Sequence, residues 1–223
     1  MVTGRCASSV ARTALFGGSF NPIHYGHLLL ADEVRERLSL ARVVFMPAGV
    51  PPHKPATEIA PAADRHAMVR LAIADNPAFE VSDLELRRTG PSYTIDTIEA
   101  LGVPPAELFL VIGSETFLDL LSWREPRRIA AQCRLVVIPR AGSPFDPDSE
   151  ATRKVLREIG ADGIATAEDG VPARGVIVLH ATSLPLSASD LRMRAAGGRS
   201  LAYRVPPAVA SYIAAHRLYG WPA

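Results

Sequence analysis

The sequence predicts an α/β protein with an open, mostly parallel, doubly wound sheet and further helices at its C-terminus. Short apolar runs alternate with longer segments of helix-forming residues along most of the 223 residues. Strands that alternate with helices in this way pair in parallel and carry helices on both faces of the sheet. Glycine, proline or polar residues follow most of the apolar runs, and ligands of such sheets bind in the loops at these strand ends.

The first half of the chain contains three strand patterns, each followed by a helical pattern. Two of the strand patterns are short buried apolar runs, and the third alternates apolar and polar residues as a partly exposed strand does. The strands are expected at residues 13–16, 43–46 and 79–86. The helices are expected at residues 25–38, 62–75 and 94–101. A proline-rich loop at residues 47–61 follows the second strand.

The second half continues the alternation and then adds helices at the end. Strands are expected at residues 108–112, 135–138 and 176–179. Helices are expected at residues 116–121, 126–132, 150–159, 189–195 and 207–216. A break rich in glycine, proline and aspartate occupies residues 141–149, and no internal repeat is present. We expect one domain at residues 13–219, with a flexible leader at 1–12 and a tail at 220–223.

The composition excludes several classes of protein. Lys and Arg number 24 and Asp and Glu 23, so the net charge is +1, which argues against a dedicated nucleic-acid binder. The only cysteines, Cys6 and Cys133, provide no disulfide framework and fit a reducing cytoplasm. No apolar run suits a secretory signal or a membrane span, so we expect a cytoplasmic protein that binds neither membrane nor nucleic acid.

The loop after the first predicted strand has the residue types of a phosphate site. It reads GGSFNPIHYGH over residues 17–27. Its glycines let backbone N–H groups approach an anion, and the imidazoles of His24 and His27 can donate to phosphate oxygens. A tight turn with a capping histidine would use the same residues. A zinc site is disfavoured because there is no HExxH frame, and neither the Walker pattern nor the dinucleotide-binding glycine pattern is present.

This loop resembles the first signature of the nucleotidylyltransferase superfamily, whose HxGH motif reads His24-Tyr25-Gly26-His27 here. The heptapeptide LSASDLR at residues 186–192 resembles the second signature of the same superfamily. It keeps a hydroxyl at Ser189 and a guanidinium at Arg192, which suit phosphate contact, although Ser and Asp also cap ordinary helices. The resemblance implies a Rossmann-like nucleotidylyltransferase fold.

The segments between the two signatures are similar to those of bacterial nicotinate-nucleotide adenylyltransferases, and they follow in the same order. They are PPHK at 51–54, Arg65 with Met68, GPSYT at 90–94, Ile112-Gly113, Ser122-Trp123 and HRLY at 216–219. One departure is Glu115, which stands where this family usually has aspartate.

This resemblance implies adenylyl transfer from ATP to nicotinate mononucleotide, forming nicotinate adenine dinucleotide and pyrophosphate in NAD biosynthesis. It also implies Mg²⁺ bound mainly through the ATP phosphates, without side-chain metal ligands. The implied catalytic residues are His24, His27, Arg192 and Lys54. The implied ATP and phosphate contacts are Gly17, Gly18, Ser19, Phe20, Gly113, Glu115, Ser187, Ser189 and Arg192. The implied mononucleotide contacts are Asn21, Lys54, Tyr93, Thr94, Ile95, Trp123 and Arg124.

In the mononucleotide set, Trp123 would stack on the pyridine ring, and backbone N–H groups near Thr94, Ile95 and Arg124 would hold its carboxylate. Trp123 could equally be a partly buried core aromatic. Another nucleotidylyltransferase, such as a pantetheine-phosphate adenylyltransferase or a cytidylyltransferase, shares the histidine loop. A noncatalytic nucleotide-binding regulatory module could also retain it. The expected partners are the small-molecule substrates ATP and nicotinate mononucleotide, and a homo-oligomer is possible.

Overall fold

The computed structural model describes residues 11–50, 59–139, 145–166 and 175–222. Within these ranges seven strands form one sheet, and every adjacent pair is parallel. The strands are β1 (Thr13–Gly18), β2 (Arg42–Pro47), β3 (Phe79–Val81), β4 (Leu108–Gly113), β5 (Arg134–Ile138), β6 (Ile164–Thr166) and β7 (Val176–Val178). Their order across the sheet is β3-β2-β1-β4-β5-β7-β6. The predicted fold class is confirmed.

Helices cover both faces of this sheet. They are α1 (Tyr25–Arg37), α2 (Ala62–Ala72), α3 (Thr94–Leu101), α4 (Ser114–Leu118), α5 (Pro126–Gln132), α6 (Glu150–Ile159), α7 (Ala188–Ala196) and α8 (Pro207–Ala215). Short 3₁₀ turns follow at Leu120–Ser122 and Leu218–Gly220. None of the helices in the described part of the chain is long and apolar enough to cross a membrane.

Two apolar cores lie on opposite faces of the sheet because successive side chains of a strand point in opposite directions. Phe16 of β1 belongs to the first core, which packs under α1, α2, α7 and α8. Its neighbour Leu15 belongs to the second core, which packs under α3, α4, α5 and α6. The strands therefore contain nearly continuous apolar runs, as strands buried on both faces do.

Several features of the structure depart from the sequence prediction. The expected strand at 79–86 pairs only over β3, because the backbone turns after it: the N–H of Leu86 donates to the carbonyl of Asp83 at 2.9 Å. The edge strand β6 was not predicted, since three residues are too few for a periodic pattern. Trp221, expected in the tail, packs against the first core.

The order of the strands creates a crevice beside β1. From β1 the chain moves to β2 and β3 on one side, and it then crosses to β4 on the other side. The helices that follow β1 and β4, α1 and α4, lie on opposite faces of the sheet. Such a switch point leaves an opening between the carboxyl ends of the two strands, where ligands of open α/β sheets bind.

Candidate active site

A cleft of about 500 Å³ opens at this switch point. Residues at the ends of β1 and β4 form its floor, and side chains from α1, α3 and the loops that follow β2, β3 and α4 form its walls. Among the predicted site residues, those that line it are Gly17, Gly18, Ser19, His27, Thr94, Gly113, Glu115 and Trp123.

Two glycines of the first loop have distinct packing roles. A Cβ on Gly17 would have no protein atom within 4 Å, so the space above this residue belongs to the cleft. A Cβ on Gly26 would lie 3.1 Å from the imidazole of His24, so the missing side chain makes room for that ring. The loop therefore leaves open space beside backbone N–H groups and seats a histidine at the start of α1.

His24 and His27 are held as a stacked pair at this helix start. Their ring centroids lie 3.8 Å apart and their planes differ by 27°. The N–H of His24 donates to Nδ1 of His27 at 3.3 Å, which leaves the proton of a neutral His27 ring on Nε2. Burial lowers the pKa of His24 to about 4 and that of His27 to about 3, the latter also through the charge of His24. Both rings are therefore neutral near pH 7.

Phe20, predicted to contact phosphate, has its side chain in the first core, 2% exposed. Its ring meets His27 edge to face, with centroids 5.2 Å apart, and it also packs against Phe16. Only the backbone of Phe20 is thus available to a ligand. Its aromatic ring supports the orientation of His27.

The predicted mononucleotide residues gather around the start of α3. Thr94 opens this helix, and the first N–H groups of a helix have no acceptor within it. The side chain of Ile95 is fully buried in the second core, so only its backbone N–H can take part. Trp123 is half-buried, packs against the second core and lines the cleft. The ring therefore packs against the core and also borders the cleft, and its stacking on a pyridine ring stays a prediction.

Arg124 contacts two residues at the start of α3, Tyr93 and Asp96. Its guanidinium lies over the ring of Tyr93 at 4.9 Å and pairs with Asp96 at 3.7 Å. Neither Arg124 nor Tyr93 is among the residues that line the cleft. In this arrangement Arg124 braces Tyr93 at the start of α3.

The second signature packs against the first loop. Arg192 of α7 donates from Nη1 to the carbonyl of Asn21 at 3.0 Å. The Oδ1 of Asn21 accepts a hydrogen bond from the N–H of Ala60 at 3.0 Å. Ser187 caps α7, and its hydroxyl lies 2.6 Å from that of Ser189. The structure thus joins the two signatures, while His24, Asn21, Ser187, Ser189 and Arg192 lie outside the described cleft lining.

Arg65 has a larger role than the sequence suggested. It is 1% exposed and donates to the carbonyls of Ser19 at 2.8 Å, Ala48 at 2.6 Å and Ala60 at 2.9 Å. These carbonyls belong to the loops after β1 and β2 and to the segment before α2. The available signal was its register, because Arg65 shares the buried face of α2 with Met68 and Val69.

Glu85 is a second residue that the predicted site omitted. Glu85 lines the cleft, and the residue is only 8% exposed. Oε1 accepts a hydrogen bond from the hydroxyl of Thr97 at 2.7 Å. The alternating pattern at 79–86 placed this residue in a strand, which concealed the turn that carries it to the cleft.

Lys54, predicted for catalysis and mononucleotide binding, lies outside the described residues, as does the rest of PPHK. Within the described ranges, no group of three or more His, Cys, Asp or Glu residues is arranged to hold a metal ion. Cys133 is buried, and burial raises the pKa of its thiol to about 12, so this sulfur is a poor nucleophile near pH 7.

The chain is similar to known proteins over nearly its whole length. A family model described as cytidylyltransferase-like matches residues 15–194. A relative from Synechococcus sp. (strain JA-3-3Ab) is 42% identical, and the match covers 93% of this chain and 94% of the relative. A relative from Symbiobacterium thermophilum is 43% identical, and the match covers 94% of this chain and 96% of the relative. Both are named probable nicotinate-nucleotide adenylyltransferases.

The fold of this chain is similar to that of a solved structure. The nicotinic acid mononucleotide adenylyltransferase of Plasmodium falciparum, complexed with NaAD, aligns with a TM-score of 0.71 at 18% identity. The alignment covers 94% of this chain and 98% of that one. By sequence, the chain belongs to the nicotinate-nucleotide adenylyltransferase family, within the cytidylyltransferase-like proteins.

Proposed function

We propose that the cleft between β1 and β4 holds ATP and nicotinate mononucleotide together and transfers the adenylyl group from one to the other. The family performs this reaction in NAD biosynthesis, and the chain is a nucleotidyltransferase of that family. The observation that carries the proposal is that one cleft is lined by both Gly17 with His27 and Thr94 with Trp123. The first pair suits phosphates, and the second suits a flat ring with an anionic group.

In this reaction a phosphate oxygen of the mononucleotide attacks the α-phosphorus of ATP. The bond from that phosphorus to the bridging oxygen of the β-phosphate breaks, and pyrophosphate leaves with the electron pair. No side-chain nucleophile is needed, so the protein contributes positioning and stabilisation of charge. Donors fixed before the reaction are well suited to that task, because they need no reorganisation when the charge develops.

The donors proposed for the ATP phosphates surround the first loop. His27 lines the cleft with Nε2–H available, since its Nδ1 is already an acceptor. The backbone N–H groups near Gly17 and Gly18 would contribute further hydrogen bonds. Arg192, fixed through Asn21 to the same loop, would add positive charge. The resemblance also implies His24, and Lys54, which lies outside the described residues, as groups that contact phosphate.

The preference for nicotinate is proposed to arise at the start of α3. A carboxylate gains more than a neutral carboxamide does from the unpaired N–H groups of a first helical turn. Trp123, held against the second core, would offer its ring face to the pyridine.

Mg²⁺ fits this site as an ion carried by the substrate. Glu115 is an exposed carboxylate on the cleft, and it could hold waters of an ion bound to the ATP phosphates. When bound, Mg²⁺ would neutralise charge on the departing pyrophosphate. Because the reaction consumes ATP, we also propose that the protein works in the cytoplasm.

Product analysis tests the proposed function. Purified protein is incubated with ATP, Mg²⁺ and nicotinate mononucleotide, and the products are separated and weighed by mass spectrometry. We expect nicotinate adenine dinucleotide and pyrophosphate in equal amounts. Tight binding of both nucleotides without any product would instead support a noncatalytic regulatory role.

A further inference from the structure

Glu85 is a buried acidic residue in a cleft that receives anionic substrates. It lies within the turn after β3, and its backbone is tightly packed, because a Cβ on Gly49 would clash with the carbonyl oxygen of Glu85. Thr94 and Trp123 line the same cleft. A carboxylate buried at such a place is costly unless hydrogen-bond donors surround it.

One oxygen of this carboxylate has a fixed partner. Nη1 of Arg88 donates to the Oγ1 of Thr97 at 3.2 Å, and that hydroxyl donates to Oε1 of Glu85 at 2.7 Å. Within residues 11–50, 59–139, 145–166 and 175–222, Oε2 has no hydrogen-bond partner. The chain of donors thus orients Glu85, a residue that lines the cleft, and leaves its second carboxylate oxygen as an acceptor.

The chemistry of the substrates selects the group that can meet this acceptor. A carboxylate only accepts hydrogen bonds, and it repels phosphate oxygens and the nicotinate carboxylate. The ribose hydroxyls are uncharged donors. The ribose of the mononucleotide is attached directly to the pyridine ring. Glu85 is hydrogen-bonded to Thr97 of α3, the helix that Thr94 opens, and it lines the same cleft as Thr94 and Trp123.

We propose that Glu85 determines specificity by accepting a hydrogen bond from a ribose hydroxyl of the bound mononucleotide. This inference rests on the proposed function, because it assumes that the pyridine end lies at Trp123. It assigns to Glu85 the recognition of a ribonucleotide over a deoxyribonucleotide.

A substrate-by-variant cycle tests the assignment. The kcat and KM of wild type and Glu85→Gln are measured with nicotinate mononucleotide and with its 2′-deoxy and 3′-deoxy forms. For one deoxy form we expect wild-type kcat/KM to fall about 10- to 100-fold, chiefly through KM, as for a lost hydrogen bond to a charged group. Glu85→Gln should lower kcat/KM for the ribonucleotide by a similar factor. With that deoxy form, the variant should have nearly the same kcat/KM as wild type. Glu80→Gln, in an exposed ion pair with Arg42, is the matched control.

Other outcomes overturn the assignment. If wild type has the same kcat/KM for both deoxy mononucleotides as for the ribonucleotide, no ribose hydroxyl of the mononucleotide is recognised. This comparison uses only the wild-type protein, so it does not depend on the folding of a variant. If Glu85→Gln loses the same factor with every mononucleotide and Thr97→Val reproduces that loss, Glu85 only supports α3. The same cycle is measured with 2′-deoxy-ATP and 3′-deoxy-ATP. If Glu85→Gln lowers kcat/KM with ATP but causes little further loss with one of these deoxy forms, the hydroxyl that Glu85 recognises belongs to ATP. Absence of any wild-type turnover with nicotinate mononucleotide would instead refute the proposed function.

Discussion

His24 and His27 owe their properties to the way in which the first loop packs. Gly26 leaves room for the ring of His24, and Phe20 meets the edge of His27. Burial then lowers the pKa of both rings, and the hydrogen bond from the backbone of His24 fixes the proton of His27 on Nε2. A neutral imidazole with a fixed donor is suited to a phosphate that gains charge in the transition state.

Removal of the His27 ring should affect turnover more than stability. For His27→Ala we expect kcat to fall about 100- to 1,000-fold, as when one fixed donor to a developing charge is lost. His180→Ala removes an exposed histidine and should leave kcat unchanged. Steady-state kinetics and thermal unfolding of both variants provide the comparison, and wild-type kcat in His27→Ala would remove this residue from the catalytic set.

The buried histidine pair should also make stability depend on pH. The folded pKa values lie below the ordinary value of 6.5, so the unfolded chain binds more protons between about pH 6.5 and the folded values of about 4 for His24 and about 3 for His27. The stabilisation is therefore present above about pH 6.5 and is lost as pH falls toward 4 and then 3. At pH 5 the loss should be about 2 kcal/mol for each histidine. Urea unfolding at pH 7.5 and pH 5 should show a smaller difference in H24N/H27N than in wild type, and equal differences would contradict this.

At the scale of elements, Arg65 connects loops that the strands alone leave separate. Its planar guanidinium donates to carbonyls after β1, after β2 and before α2. Ser19 and Ala48, two of the residues whose carbonyls it holds, line the cleft. The side chain thus couples the folding of α2 to the shape of the substrate site.

The loss of this connection should damage both stability and binding. For Arg65→Met we expect the free energy of unfolding to fall by about 2–4 kcal/mol, because buried carbonyls lose their donor. Arg65→Lys should not restore it, since a single ammonium cannot replace the fork geometry. Arg70→Met changes an exposed arginine of the same helix and should unfold like wild type. Denaturant unfolding and the KM for ATP measure the two effects, and an Arg65→Met variant as stable as wild type would contradict this role.

Contacts between residues that are close in sequence could be predicted from the sequence, and contacts between distant segments could not. The strand-loop-helix unit from β1 to α1 was predictable because its apolar run, glycines and histidines are contiguous. The contacts of Arg65 and Glu85 were not predictable, because their partners lie in other parts of the chain and only the fold brings these together. The turn that ends β3 had no glycine or proline signal, and its apolar-polar alternation imitated a strand.

At the scale of the whole molecule, one parallel sheet places distant residues at a single crevice. Arg192 reaches Asn21 across the chain, which brings the two signatures into contact. We propose that residues 13–219 form one domain, because every described strand belongs to the same sheet. The net charge of +1 is compatible with an anion site, since helix starts and a few guanidinium groups supply positive potential locally.

A side-by-side substrate panel tests most directly whether this cleft is built for nicotinate mononucleotide. The kcat/KM values are measured for nicotinate mononucleotide, nicotinamide mononucleotide and phosphopantetheine, each with ATP and Mg²⁺. The N–H groups at the start of α3 and the ring of Trp123 predict the highest value for nicotinate mononucleotide. A higher value for nicotinamide mononucleotide or for phosphopantetheine would contradict it.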